Sequence, residues 1–239
     1  MFSMTDTTLR IASYNIRKAR GLDQKYIPNR TVQVINQLDA DIVVLQEADK
    51  RLGDRKPAIP RALIERETDF QIVELSENEI SLGWHGNAVL VRDLSKVLRI
   101  ERLVLPGLEP RGAIRLDMKI GDGFSIVATH LGLLRRHRRA QLNALCDATA
   151  NSVHTLIAGD FNEWSRRKGL EPLADRFEVH APGQSFHARR PVAALDRIAL
   201  SRGIDLVGAG VEQGKLAKRA SDHLPIWADL VIPSERVIC

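Results

Sequence analysis

Apolar runs of strand length that stop at a polar residue constrain this chain more than any other feature. "RIASYN" ends at Asn15, "DIVVLQE" at Glu47, "SIVATH" at His130 and "HTLIAGD" at Asp160, while Asp222 and His223 stand just before "LPIWADL". Asp196 lies inside the apolar run "AALDRIAL". One Asn or Asp at a strand end is ordinarily a turn cap, and six such places in one chain need a further reason. A carboxylate in or beside a buried strand is costly unless a cation or donors meet it, so a group of them implies a charge at a shared focus. In "IAGDFNEW" Asp160 and Asn162 are two positions apart. Alternate positions on a strand share a face, so their oxygens are expected to converge.

Periodicity predicts strands at about 9–15, 41–46, 70–75, 86–92, 96–104, 111–119, 124–130, 154–160, 176–180, 194–200, 204–212 and 225–231, and helices at about 29–38, 60–68 and 135–150. "GDG" at 121–123 reads as a hairpin turn. Strands outnumber helices, with meanders between crossovers. That pattern fits an α/β (α+β) sandwich better than a doubly wound parallel sheet, which alternates strand and helix strictly. No Pro/Gly/Ser-rich or charge-block linker divides the 239 residues, so one domain with its core at about 9–232 is expected.

The start, "MFSMTDTTLR", lacks a basic segment followed by an apolar one, and no run approaches the roughly 18 apolar residues of a membrane span. Two cysteines, Cys146 and Cys239, have no metal-site spacing. Together these imply a reduced, cytoplasmic chain. An aromatic content of 5% argues against stacking platforms for single-stranded nucleic acid. The net charge of +5, carried by 26 Arg against 9 Lys, fits either phosphate binding or an ordinary solvated surface. The densest basic stretch, "RRHRRAQL" from Arg135, opens an amphipathic helix with Leu142 and Leu145 inward, and its arginines can face a phosphate-bearing partner.

Hard oxygen donors such as Glu47, Asp160 and the Asn amides suit Mg²⁺ or Mn²⁺ better than Zn²⁺. A general base needs a carboxylate to orient it. His223 has Asp222 beside it, but neighbours on a strand point to opposite faces, so its partner is expected to be Asp196 from another strand. His130 belongs to the same constellation. His85 is an open case, and His137, His154, His180 and His187 read as surface or packing residues. Trp84 and Trp164 border the expected site, where packing beneath a loop is favoured over lining a groove.

These residues resemble the endonuclease/exonuclease/phosphatase superfamily, which includes deoxyribonuclease I type nucleases, abasic endonucleases, neutral sphingomyelinases and inositol polyphosphate 5-phosphatases. The resemblance runs in order through "ASYNIRKARG", "VVLQEAD", "HGNAVL", "RGAIR", "ATHLGL", "AGDFNEW", "LDRI" and "SDHLP". It implies a four-layer, deoxyribonuclease I-like sandwich of two packed mixed β-sheets flanked by helices, with the site at one end of the sheets. It assigns Asn15 and Glu47, with Asp222, to the metal; Asp160 and Asn162 to orienting water and the scissile phosphate; His223, held by Asp196, to the base or to positioning water; and His130 to a phosphate contact. Asn87 of "HGNAVL" would touch substrate, and Arg111 of "RGAIR" either substrate phosphate or its own neighbours. Arg197 stands where many members have Tyr.

The implied activity is Mg²⁺-dependent phosphodiester hydrolysis, with Mn²⁺ as the alternative ion, by a monomer. Nucleic acid is favoured as substrate by the charge and by Arg135, Arg136, Arg138 and Arg139. A lipid or small phosphoester is favoured by short loops and the lack of interleaved aromatics. A non-catalytic phosphate-binding module would be expected to lack part of the constellation, and no part is missing.

Overall fold

The computed structural model describes residues 6–50, 53–165 and 168–234; Cys239 lies outside them. The chain opens with β1 (Thr7–Asn15), α1 (Pro28–Gln37), β2 (Ile42–Gln46), α2 (Arg61–Glu67), β3 (Gln71–Ile72) and β4 (Ala88–Val91). It continues with β5 (Val97–Val104), β6 (Gly112–Met118), β7 (Phe124–His130), α3 (Arg135–Ala148), β8 (His154–Asp160), β9 (Phe177–His180) and β10 (Asp196–Ser201). β11 (Asp205–Val211), α4 (Ala217–Ala220) and β12 (Ile226–Ile232) complete it.

The strands form two mixed six-stranded sheets, ordered β11-β12-β1-β2-β4-β3 and β5-β6-β7-β8-β10-β9. Each sheet has one parallel pair, β1 with β2 and β7 with β8, among antiparallel neighbours. Parallel neighbours need a crossover, and α1 and α3 supply the two. This gives the halves a common plan: a parallel pair whose carboxyl ends, Asn15 beside Gln46 and His130 beside Asp160, lie at the same end of the strands.

Alternation of side chains divides the core into three layers. Leu9 and Ile11 of β1, Ile126 and Ala128 of β7, and Leu156 and Ala158 of β8 meet between the sheets. The opposite faces pack outward: Ala12, Tyr14, Val43 and Leu45 against Val32 and Ile35 of α1, and Val127 and Ile157 against Leu142 and Leu145 of α3. Helix, sheet, sheet and helix are thus held by three apolar interfaces, the four-layer arrangement that the family resemblance implied.

Two glycines are forced by close approach. A Cβ at Gly159 would fall 1.8 Å from the Thr129 carbonyl oxygen, its register partner across the parallel pair. Gly121 turns the β6–β7 hairpin at φ +57°, where a Cβ would fall 2.3 Å from the Pro233 carbonyl oxygen.

The structure departs from the sequence reading in three places. The strand expected over 70–75 is reduced to Gln71–Ile72, although Val73 still donates to Val89 O. α4 was not anticipated. β8 ends at Asp160, and Asn162 takes the left-handed conformation at φ +51°, so Asp160 and Asn162 do not share one face of a pleat.

Candidate active site

Asp160 is the hub of the site. It is buried at the end of β8. Its Oδ1 accepts the Asn162 backbone N–H at 2.9 Å, which is what the left-handed turn achieves. Its Oδ2 accepts from Asn15 Nδ2 at 3.1 Å and lies 3.3 Å from His130 Nε2 and 3.7 Å from His223 Nε2. Three strands from two sheets and the segment preceding β12 therefore converge on one carboxylate oxygen. The Asn162 side chain turns away and donates to Leu131 O.

Asp196, the first residue of β10, sits directly across from Asp160 in antiparallel register and is wholly buried. Its Oδ2 accepts from Ser185 Oγ and lies 2.8 Å from His223 Nδ1. A carboxylate can only accept, so Nδ1 carries the proton and Nε2 is the nitrogen turned toward Asp160. The partner expected for His223 from the sequence is the one found. Ser221 Oγ ties the segment down by donating to Asn15 O at 2.7 Å and accepting the His223 N–H at 3.3 Å. Phe186 packs on the imidazole with ring centroids 4.9 Å apart.

Two buried acids flank one imidazole in this space. Burial pushes the Asp160 carboxyl up to about 6, with the His223 charge opposing the rise and Asp196 adding to it. Burial works against the His223 imidazolium, but the charges of Asp196 and then Asp160 outweigh it and raise the group to about 10. The surrounding charges thus favour a proton on His223, and Asp160 and His223 titrate together.

Glu47, immediately past β2, lines a cleft of about 150 Å³ with His130, Lys18, Arg55, His85 and Arg111. Glu47, Lys18, Arg55 and His85 all have positive φ, as does Arg17 behind them. Such left-handed non-glycine residues are uncommon, and here they aim side chains into one space. The Lys18 ammonium contacts the Glu47 carboxylate. Asn15 Oδ1 accepts the Arg17 backbone N–H, and Asp222 lies 3.4 Å from Arg17 Nε.

These donors fit a hard divalent ion: Glu47 is an anion at the cleft with an ammonium as its counter-charge, and Asn15 offers an amide oxygen on the adjoining strand. Asp160, Asp196 and His223 form a second, fully buried set whose ligand atoms lie within 4.8 Å of one another. In that set His223 Nδ1 and Asp196 Oδ2 already bind each other, so an ion there would have to break their hydrogen bond.

Arg111 is buried and forks onto Glu109, with Nη2 to Oε2 at 2.9 Å, while also lining the cleft. Asn87 is wholly buried and donates to Gly112 O and Trp84 O; no hydrogen bond joins it to the Asp160 group among the described residues. Arg197 is buried, its Nη2 3.4 Å from the Glu163 and Ser165 carbonyls. Trp164 is exposed rather than packed beneath a loop, whereas Trp84 packs on the inter-sheet core.

The basic run of α3 is not the free surface that the sequence suggested. Arg138 is buried and donates to Glu163 at 2.7 Å, and Arg135 pairs with the same carboxylate at 2.9 Å. Sequence reasoning missed Glu163, Ser185 and Lys18. Ser185 and Lys18 come from turns with no periodic signal. Glu163 directly precedes Trp164 in a motif already singled out, and its neighbour at the strand end drew the attention instead.

The sequence pattern of the Endonuclease/Exonuclease/phosphatase family matches residues 12–223. Among curated proteins, the uncharacterized protein YbhP of Escherichia coli (strain K12) is 25% identical over 93% of this chain and 96% of its own length. Among solved structures, an endonuclease/exonuclease/phosphatase from Beutenbergia cavernae DSM 12333 superposes with a TM-score of 0.73 at 21% identity, covering 95% of this chain and 72% of that one. D. rerio TDP2 complexed with single strand DNA product superposes with a TM-score of 0.70 at 18% identity, covering 94% and 99%. At these identities the superpositions show a common fold.

Proposed function

Because the chain belongs to the Endonuclease/Exonuclease/phosphatase family, whose members hydrolyse phosphate esters with a divalent metal, we propose that it is a Mg²⁺-dependent phosphodiesterase acting by in-line attack of water. The observation that carries this reading is the convergence of Asn15, His130 and His223 on Asp160 Oδ2, with Asp196 behind His223. Hydrolysis needs a base aimed at a water, a cationic environment for phosphate oxygens, and groups that hold both in line.

In this reading the ionised Asp160 and the imidazole of His223 both face the attacking water. Their 3.7 Å separation is longer than a direct hydrogen bond and suits two groups that share a third. Asp160 takes the proton as the water's oxygen bonds to phosphorus, while His223, held as an imidazolium by Asp196, positions that water. His130 contacts a non-bridging phosphate oxygen as charge develops there, with Arg111, Arg55 and Lys18 supplying positive potential around the cleft. Asn15 and Glu47, with Asp222 beside them, would hold the ion, which when bound neutralises phosphate charge and the leaving oxygen.

A test places supercoiled plasmid, an abasic-site duplex and phospholipid vesicles side by side with Mg²⁺, using His223→Ala to subtract contaminants. DNA cleavage lost in the variant makes the substrate nucleic acid, and lipid hydrolysis lost in the variant makes it a phospholipid. Turnover unchanged in His223→Ala overturns the mechanism. The case for nucleic acid from α3 is weakened by Glu163, which occupies two of its four arginines.

A further inference from the structure

Four loops surround the mouth of the site, and each carries an exposed apolar side chain: Leu108 (79% exposed), Leu133 (65%), Leu134 (48%), Trp164 (62%) and Val192 (59%). The loops touch in sequence around the rim. Glu109 Oε1 accepts the Leu133 N–H at 2.7 Å, joining the β5–β6 loop to the β7–α3 loop. Arg135, next to Leu134, pairs with Glu163, next to Trp164. Trp164 meets Phe186 edge to face at 5.9 Å, and Val192 donates its N–H to Phe186 O at 2.7 Å. Phe186 in turn packs on His223. The loops are therefore joined to one another and to the candidate site, and exposed apolar side chains gathered on joined loops mark an interaction face.

Exposed cations flank the apolar side chains: Arg136 lies two positions past Leu134, Lys168 is tied by its N–H to Ser165 Oγ beside Trp164, and Arg189 and Arg190 precede Val192. Apolar side chains at a tip with arginines and lysine around them match the interface of a bilayer, where aliphatic groups and Trp enter the headgroup boundary and basic residues meet anionic lipid. Four of the five tips are aliphatic, which gives little for bases to stack on and disfavours single-stranded nucleic acid as the occupant. No helix among the described residues is long and apolar enough to cross a membrane.

We propose that this rim docks the protein on the surface of an anionic phospholipid bilayer, setting the mouth of the site against lipid headgroups. Docking stands on the surface alone; its service to catalysis rests on the phosphodiesterase reading above.

The test is flotation of the full chain with vesicles of phosphatidylcholine alone or with one-quarter phosphatidylglycerol, at low and high salt, followed by Trp emission. The proposal predicts binding to the anionic vesicles that weakens with salt, a blue shift absent in Trp164→Phe, and at least about tenfold weaker binding for Leu108→Ser/Leu133→Ser. Hydrolysis of soluble bis(p-nitrophenyl) phosphate should be unchanged in that variant; this reports separately on the phosphodiesterase reading, since wild-type protein that binds vesicles yet lacks turnover refutes the reading and keeps the docking. Absence of binding by the folded wild type, binding that the double variant leaves intact, a dimer in sedimentation that the variant abolishes, or displacement of vesicles by a single-stranded oligonucleotide but not by soluble anionic polymer would overturn it.

Discussion

Replacing Asp196 by Asn tests the part of the site that acts through His223. The carboxylate is wholly buried, meets His223 Nδ1 at 2.8 Å and accepts from Ser185. The amide has nearly the same shape and retains one acceptor, but it carries no charge. Burial opposes the imidazolium, and Asp196 leads the groups that raise it to about 10 from an ordinary 6.5. A folded-state value raised in this way gives stability that is fully present below the unfolded value and is lost as the pH climbs through about 10. Removing one partner of a buried charged pair costs about 3–5 kcal/mol. The amide's retained acceptor places Asp196→Asn at about 2–3 kcal/mol, largest near pH 6 and shrinking toward pH 10. Loss of an oriented acid–base group should lower kcat by about 10²–10⁴-fold and leave KM nearly unchanged. Steady-state hydrolysis of bis(p-nitrophenyl) phosphate at neutral pH and thermal unfolding at pH 6, 8 and 10 measure both effects. A kcat within about threefold of wild type, or a destabilisation equal at pH 6 and pH 10, would refute the reasoning.

Glu163→Gln should destabilise the fold by about 3 kcal/mol in urea unfolding at neutral pH, because it leaves the buried Arg138 guanidinium without its anion. Burial alone would raise the Glu163 carboxyl, but hydrogen bonds from Arg135 and Arg138 hold it at about 2. Its stabilisation is thus present above the ordinary value of 4.5 and lost as the pH falls toward 2, and the gap between wild type and variant should close over that window. Gly159→Ala should cost more than about 3 kcal/mol or prevent folding, since its Cβ meets the Thr129 backbone, and circular dichroism of the purified variant reads this directly. For the wild type, kcat should decline below about pH 6 as Asp160 takes up a proton; a rate that is level down to pH 5 would contradict the role given to that carboxylate.

Much of the fold was legible because the apolar runs are long and their ends abrupt. The reading placed the ends of β7 and β8 at His130 and Asp160 because buried strands stop where a polar side chain cannot follow. It also paired His223 with Asp196, since opposite faces exclude Asp222. What remained hidden depends on contacts distant in sequence or on irregular backbone. The pairing of Arg135 and Arg138 with Glu163 spans more than one element, so a run of arginines looked like open surface. Asn162 looked like a strand residue because alternation continues through Phe161, yet the chain turns there to cap Asp160 with a backbone N–H. Ser185 holds Asp196 from a loop that carries no periodic signal, and the left-handed residues around Lys18 and Glu47 are not ones that composition flags.

The account's central claim is that Asp160, served by a divalent ion and His223, directs water at a phosphodiester. Turnover of bis(p-nitrophenyl) phosphate by wild type and Asp160→Asn, with Mg²⁺ and then with excess chelator, tests it most directly. The account predicts Mg²⁺-dependent turnover that chelator abolishes and that Asp160→Asn lowers by at least about 10²-fold while remaining folded. Equal turnover by the two proteins, or turnover indifferent to chelator, would contradict it.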